Sequence, residues 1–171
     1  MHIGIGSKEI QMKNIPQTNA TRALAQKKIP FTEHSHDLPA ERSGVEIAEV
    51  LGQDKDRVFK TLVTSAPRSG KYYVFMIPVA CELDLKKAAK AAGEKSVEMI
   101  KAKELLPLTG YVHGGCSPIG MKKQFPTFIH QSAENYDTVF CSGGRVGLQI
   151  ELPLAELRRA VSITSADLVS D

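Results

Sequence analysis

With 171 residues, 42% of them hydrophobic and 24% charged, the chain has the composition of a globular protein with one core. Its net charge of +3, from 22 basic and 19 acidic residues, is too small to mark a globally nucleic-acid-coating or membrane-surface protein. No apolar run approaches the ~20 residues of a membrane span, and MHIGIGSKEIQMK lacks the apolar core and cleavage site of a secretory signal, so a cytoplasmic location without a membrane partner is expected.

Residues 1–13 read as an N-terminal tail, which leaves 14–171 as one domain. Thr18–Ile29 is predicted as the first helix: Thr18 or Asn19 caps it, Ala23, Leu24 and Ile29 line one side, and Pro30 stops it. Phe31–His36 follows as a strand. Ser43-Gly-Val-Glu46 has the spacing of a capping box, in which hydroxyl and carboxylate satisfy each other's backbone N–H, and opens a helix ending at Gly52. Val58–Ser65 and Tyr72–Pro78 are rich in β-branched or aromatic residues and are separated by Ala-Pro-Arg-Ser-Gly-Lys, a hairpin pattern. Asp84 caps a helix over Leu85–Ala92, closed by Gly93. A short strand at Ser96–Met99 and a helical turn at Ala102–Leu106 lead into a glycine-rich loop, Gly110–Lys123. Beyond it, strands are predicted at Thr127–His130, Thr138–Ser142 and Leu148–Leu152, a helix over Leu154–Arg159 opened by Pro153, and a last strand at Val161–Thr164. Strands without regular βαβ alternation predict the α+β class: a single compact domain with a mixed, barrel-like curved sheet and surrounding helices.

The loop GYVHGGCSPIGMKK concentrates four glycines, Pro118 and the pair Lys122 and Lys123. Glycines clustered this way let a backbone approach a ligand and offer it N–H donors, so the loop reads as a cradle for a phosphate or a polar carbonyl. Lys60 lies inside the apolar run VFKTLV; it either snorkels to solvent from an amphipathic strand or lines a cavity that holds an anion. Ser142-Gly143-Gly144 serves either as a hairpin turn or as a second rim of that cavity. Cys116 stands near His113 without a nearby acidic orienter and reads as a small packed side chain rather than a nucleophile. No GxSxG, GxGxxG or GxxxxGK[ST] motif occurs, and three widely spaced cysteines without a CxxC pair exclude a disulfide scaffold or a zinc ribbon. His34 and His36 could share one strand face, but no third ligand stands close, so a solvated face is the simpler reading and no metal or cofactor is expected.

Several motifs in order carry a resemblance: FKTLV (59–63), LDLKKAAKAAG (83–93), KSVEM (95–99), LTGYVHGGCSPIGMKK (108–123) and SGGRVGLQIEL (142–152). Together they resemble the YbaK/EbsC family of aminoacyl-tRNA deacylases, over residues 14–170. The resemblance implies a free-standing editing domain, similar to the editing insertion of bacterial prolyl-tRNA synthetases, that hydrolyses the ester of mischarged tRNA, cysteine on proline tRNA above all. It implies the tRNA 3′ end as partner, with prolyl-tRNA synthetase beside it, and a reaction in which the substrate thiol attacks its own ester. The family's lysine falls on Lys60, its glycine-loop contact on Gly115, and its serine–glycine turn on Ser142 and Gly143. Lys60 is then expected at the terminal adenosine or phosphate, the Gly115 N–H at the ester carbonyl, and Ser142 at the aminoacyl end. His36, Thr61, Gly114, Ser117, Pro118, Gly143 and Gln149 are expected to bind substrate, and Lys122 and Lys123 the tRNA backbone. The chain departs from some relatives by offering His36 and Ser43 where an aromatic pair occurs, and Gln149 where an acidic residue can occur. Two other readings remain open: attack by water on an alanyl or other small aminoacyl ester, and a regulator that binds tRNA or nucleotide without catalysis.

Overall fold

A computed structural model describes residues 17–171; the expected tail, residues 1–13, lies outside the described residues. The α+β class holds, with five α-helices and two sheets among the described residues. Helix α1 (Asn19–Gln26) starts at a capping box in which the Thr18 and Thr21 side chains satisfy each other's backbone N–H groups. Strand β1 (Thr32–Ser35) follows, then α2 (Gly44–Leu51), whose box pairs Ser43 with Glu46 and whose end is set by Gly52 in the left-handed region. A short 3-10 turn, Lys55–Arg57, delivers the chain into the hairpin β2 (Phe59–Ser65) and β3 (Tyr72–Pro78). Helix α3 (Leu85–Ala92) is capped by Asp84, which accepts from the N–H groups of Lys86 and Lys87. Then come β4 (Glu98–Met99), α4 (Ala102–Thr109), β5 (Thr127–His130), β6 (Val139–Arg145), β7 (Leu148–Leu152), α5 (Leu154–Ala160) and β8 (Ile163–Ala166).

The strands do not form one barrel-like sheet. They divide into a five-stranded sheet, β4-β2-β3-β5-β8, and a three-stranded sheet, β1-β7-β6. A single parallel bridge, Val58 to Phe140, joins them. The β6–β7 ladder shifts register between Ser142 and Arg145, an irregularity of the kind that bends a strand. Within the large sheet, β2–β3 is antiparallel while β3–β5 and β5–β8 are parallel, as a mixed sheet requires.

The main core fills the space between the two sheets. Val74, Met76, Ile129, Ile150, Leu152 and Leu157 are all buried there, with Leu24 of α1 closing one end. Removing such a side chain to alanine costs roughly 2–5 kcal/mol. The opposite face of the large sheet carries Phe75 and Ile77 under Ala88 and Ala89 of α3. A third, small cluster seats α2 on the outer face of the small sheet through Ala48, Val58 and Phe140. Gly44 makes this close approach feasible: a Cβ there would lie 2.5 Å from Val79 Cγ1. Beside it, Arg57 lies over the Phe140 ring and donates to the Thr138 carbonyl, while Thr138 and His34 both bond Glu151. Burial opposes ionisation of Glu151, but these bonds and the charges of His34 and Arg57 together hold its carboxyl below the usual range. Helix α2 is thereby fixed over the junction between the sheets.

Candidate functional site

Where the two sheets part, a cavity of about 370 Å³ opens beneath α2. Its walls are the β2 segment Val58–Leu62, the strand ends Ser142 and Gln149, the start of α2 with Ser43 and Gly44, and the loop residues His113, Gly114 and Cys116. Val79, Ile47, Leu105 and Leu148 supply apolar surface. Such a chamber, mostly apolar with a few convergent polar groups, is the usual form of a small-molecule or substrate-end site.

Lys60 lines this cavity, and its ammonium holds no hydrogen bond or ion pair within the described residues. Its strand neighbours explain the placement: in the β2–β3 register Lys60 lies opposite Ile77, on the side that carries Val58 and α2. Thr61 alternates to the other side, and its Oγ1 is buried with no partner. Ser142 and Gln149 are directly opposite each other across β6 and β7, so their side chains share one face. The Ser142 hydroxyl oxygen accepts the Gly144 N–H at 3.1 Å, which leaves its own proton for another acceptor. Gln149 is only 8% exposed and accepts from Gln53 Nε2 at 2.6 Å.

His36 forms the adjoining wall. Its backbone N–H donates to the Gly147 carbonyl, pinning it to the β6–β7 turn, and its Nδ1 accepts the Leu38 N–H at 3.1 Å. That bond requires an unprotonated Nδ1, so the neutral ring carries its proton on Nε2. Burial lowers the His36 pKa, against the opposing charge of Asp37, and the ring is neutral at pH 7. His34, by contrast, turns to Glu151, so the two histidines do not converge. Among the described residues no three His, Cys, Asp or Glu side chains gather as a metal site.

The glycine loop is built differently from the expectation. The Gly115 N–H donates to the Val112 carbonyl at 2.9 Å and is not free to face a substrate carbonyl. A Cβ on Gly115 would lie 2.8 Å from Arg145 Cα, so the residue is glycine because the loop packs backbone to backbone against β6. Ser117 is fully buried and accepts the Ile119 N–H, while Pro118 is buried beside it; neither lines the cavity. Gly143 also lies outside the lining, since its carbonyl accepts from Thr18 Oγ1 and a Cβ there would meet Leu148. Lys122 and Lys123 are exposed on the outside of the loop, away from the cavity. Of the expected substrate-binding set, His36, Thr61, Gly114 and Gln149 do line it, as do Lys60 and Ser142.

Cys116 and Cys141 both border the chamber. Burial pushes the Cys116 thiol up to about 12, a hydrogen bond to Thr109 only partly offsetting it, and burial pushes Cys141 up to about 12 as well. At neutral pH both are thiols, and thiols are poor nucleophiles. The reading of Cys116 as a packed side chain is consistent with this. Sequence reasoning missed Gln53, Glu41 and Leu105; none belongs to a motif, and Gln53 meets Gln149 across 96 residues.

Comparison with known proteins gives four findings. The sequence profile described as the aminoacyl-tRNA editing domain matches residues 39–160. Over 141 residues the chain is 48% identical to an Enterococcus faecalis protein, EbsC, named as a candidate Cys-tRNA(Pro)/Cys-tRNA(Cys) deacylase, covering 82% of this chain and 85% of that one. A crystal structure described as a candidate trans-editing enzyme for prolyl-tRNA synthetase superposes with a TM-score of 0.78 at 25% identity, over 90% of this chain and 96% of that one. A scaffold protein used for epitope backbone grafting superposes with a TM-score of 0.80 at 23% identity, covering 90% and 96%, which speaks for the fold alone.

Proposed function

The chain belongs to the aminoacyl-tRNA editing domain family, and from that premise we propose that it is a trans-acting deacylase whose preferred substrate is cysteine esterified to proline tRNA. The observation that carries this reading is a mostly apolar cavity on which Lys60, Ser142 and Gln149 converge and whose own cysteines, Cys116 and Cys141, are buried and held as thiols. A site without an activated nucleophile suits a substrate that brings one. The cysteinyl sulfur, as thiolate, attacks its own ester carbonyl; the C–S bond forms, and the tetrahedral intermediate expels the ribose oxygen, which takes up a proton. A thiolactone leaves and water opens it. The protein's share of the catalysis is positioning and electrostatic stabilisation.

Lys60 binds the terminal adenosine or phosphate, since its ammonium has no partner among the described residues and lines the chamber. Ser142 fixes the aminoacyl end. His36 and Thr61 border the same end, and Gly114 forms the loop side of the entrance. Lys122 and Lys123 lie outside the chamber, where they meet the tRNA backbone, and prolyl-tRNA synthetase supplies the misacylated tRNA in the same compartment.

Deacylation of Cys-, Ser- and Ala-charged proline tRNA tests the reading. Serine is nearly isosteric with cysteine but a far weaker internal nucleophile. Rapid loss of cysteine with serine retained is the expected result. Equal loss of serine and cysteine would replace substrate-thiol attack by attack of water, and binding without loss of any amino acid would replace the enzyme by a regulator.

A further inference from the structure

The commitment of the Gly115 N–H to Val112 leaves the ester carbonyl without its expected donor. The wall formed by β6 and β7 carries two others. Ser142 and Gln149 are cross-strand partners on one face, which sets their Cβ atoms about 5 Å apart. Both line the chamber, and both accept a hydrogen bond from inside the protein: Ser142 Oγ from the Gly144 N–H, and Gln149 Oε1 from Gln53 Nε2. Those bonds use neither residue's donors, so one hydroxyl proton and the two protons of an amide nitrogen are left to face the chamber. Two neutral donors side by side in a buried wall suit a single oxygen on which negative charge develops, whereas a phosphate is better served by the Lys60 ammonium.

The direction in which the Gln149 amide points is set by Gln53. The opposite arrangement, with both amides turned, would send Gln149 Oε1 into the chamber and leave the Gln53 NH₂ where its Oε1 now is. That oxygen is buried without a partner. An orphaned carbonyl oxygen is tolerated more readily than an orphaned N–H group, so the observed orientation is the cheaper one.

Resting on the deacylase reading above, we propose that Ser142 and Gln149 together form the oxyanion site for the ester carbonyl, and that Gln53 is the positioning residue that turns the Gln149 amide nitrogen toward it. This chain thereby presents a donor at a place where a carboxylate would present only acceptors. Gln53 touches no substrate; it acts through Gln149.

Single-turnover deacylation of Cys-tRNA(Pro) by the full chain tests the assignment with three variants. Gln149→Met keeps the side-chain length and removes the donors; it is expected to lower kcat about 10²–10³-fold with KM changed less than about threefold, the mark of an interaction made in the transition state. Gln53→Glu offers only acceptors, so it draws the Gln149 NH₂ to itself and turns Oε1 into the chamber; its kcat is expected to fall nearly as far. Gln53→Leu releases the amide without reversing it and is expected to lose about tenfold or less. A merely structural Gln53 would make the Glu and Leu variants equal, and that result overturns the positioning role. Wild-type kcat in Gln149→Met overturns the oxyanion site, and decides the matter even if the Gln53 variants fail to fold. Absence of turnover by the wild-type chain on any aminoacyl ester would overturn the deacylase reading itself, a result distinct from either.

Discussion

The glycine loop between Gly110 and Lys123 and the strand wall formed by β2, β6 and β7 present opposite kinds of polar inventory. In the loop, the groups expected to face substrate are spent on the fold: the Gly115 N–H on Val112 and Ser117 Oγ on the Ile119 N–H. In the wall, three of the expected site residues keep unspent groups among the described residues: the Lys60 ammonium, the Ser142 proton and the Gln149 amide nitrogen. Clustered glycines therefore mark the place where backbones meet most tightly. The side chains proposed to carry the chemistry sit on regular strands, which hold them more firmly than a loop does.

The contrast can be broken by substitution. Lys60→Ala is expected to lower the rate of Cys-tRNA(Pro) deacylation about 10²–10³-fold while the melting temperature stays within a degree or two, because the ammonium has no partner among the described residues. Near-wild-type turnover by this variant would move the functional wall elsewhere. Gly115→Ala should do the reverse. It keeps the backbone N–H but forces a Cβ against the Arg145 backbone, at an expected cost of roughly 2–3 kcal/mol, read from denaturant unfolding. Unaltered stability with lost turnover would return the loop to the chemistry.

Cys116→Ala is a finer probe of the boundary between the two regions, since the residue belongs to the loop and borders the chamber. Turnover is expected to stay within about threefold of wild type, because a thiol with a pKa near 12 takes no part as a nucleophile. A loss of more than 10²-fold would contradict that.

Acid offers the mildest test. His130 of β5 is a scaffold histidine whose Nδ1 accepts the Leu168 N–H. Burial lowers its pKa from the ordinary 6.5, with Asp167 opposing. The unfolded chain then takes up the proton first as pH falls, so stability is full above about 6.5 and declines below it, toward the lower folded-state value. His36, with the same kind of Nδ1 acceptor bond, adds to the decline. Melting temperature should fall between pH 7.5 and pH 5, and His130→Gln should flatten part of that slope. A flat wild-type profile would show that the two rings titrate alike in the folded and unfolded chain.

Much of this architecture was legible locally. The caps at Thr18, Ser43 and Asp84, and the closing glycines at 52 and 93, act within four residues of the helix ends they define, so sequence spacing suffices to find them. Strand β6 was read as ending at Ser142 because Gly143 and Gly144 signal a turn; it continues to Arg145 because Leu148 and Thr18 pack tightly on those glycines. Helix α4 was read as stopping at Leu106, yet it runs through Pro107 to Thr109, held by Leu105 and Leu108 against the main core. The division into two sheets was not legible, since it depends on which strands pair over long separations. Lys60 and Ser142 were found through motifs of strand and turn. Gln53 was missed because a glutamine after a helix end has no local meaning until the chain brings Gln149 against it.

The burial of Cys116 and Cys141 has a further consequence for the proposed cysteinyl substrate. Burial pushes both thiols up to about 12, so at pH 7 they are held in the protonated form. Thiol–disulfide exchange and acyl transfer both require the thiolate. In the proposed reaction, a thiolactone released within the chamber would meet two wall thiols that it cannot readily acylate, and a cysteinyl substrate would meet no thiolate on them ready to form a mixed disulfide. On that reading, the packing that keeps Cys116 and Cys141 protonated also protects the protein from being consumed by its product.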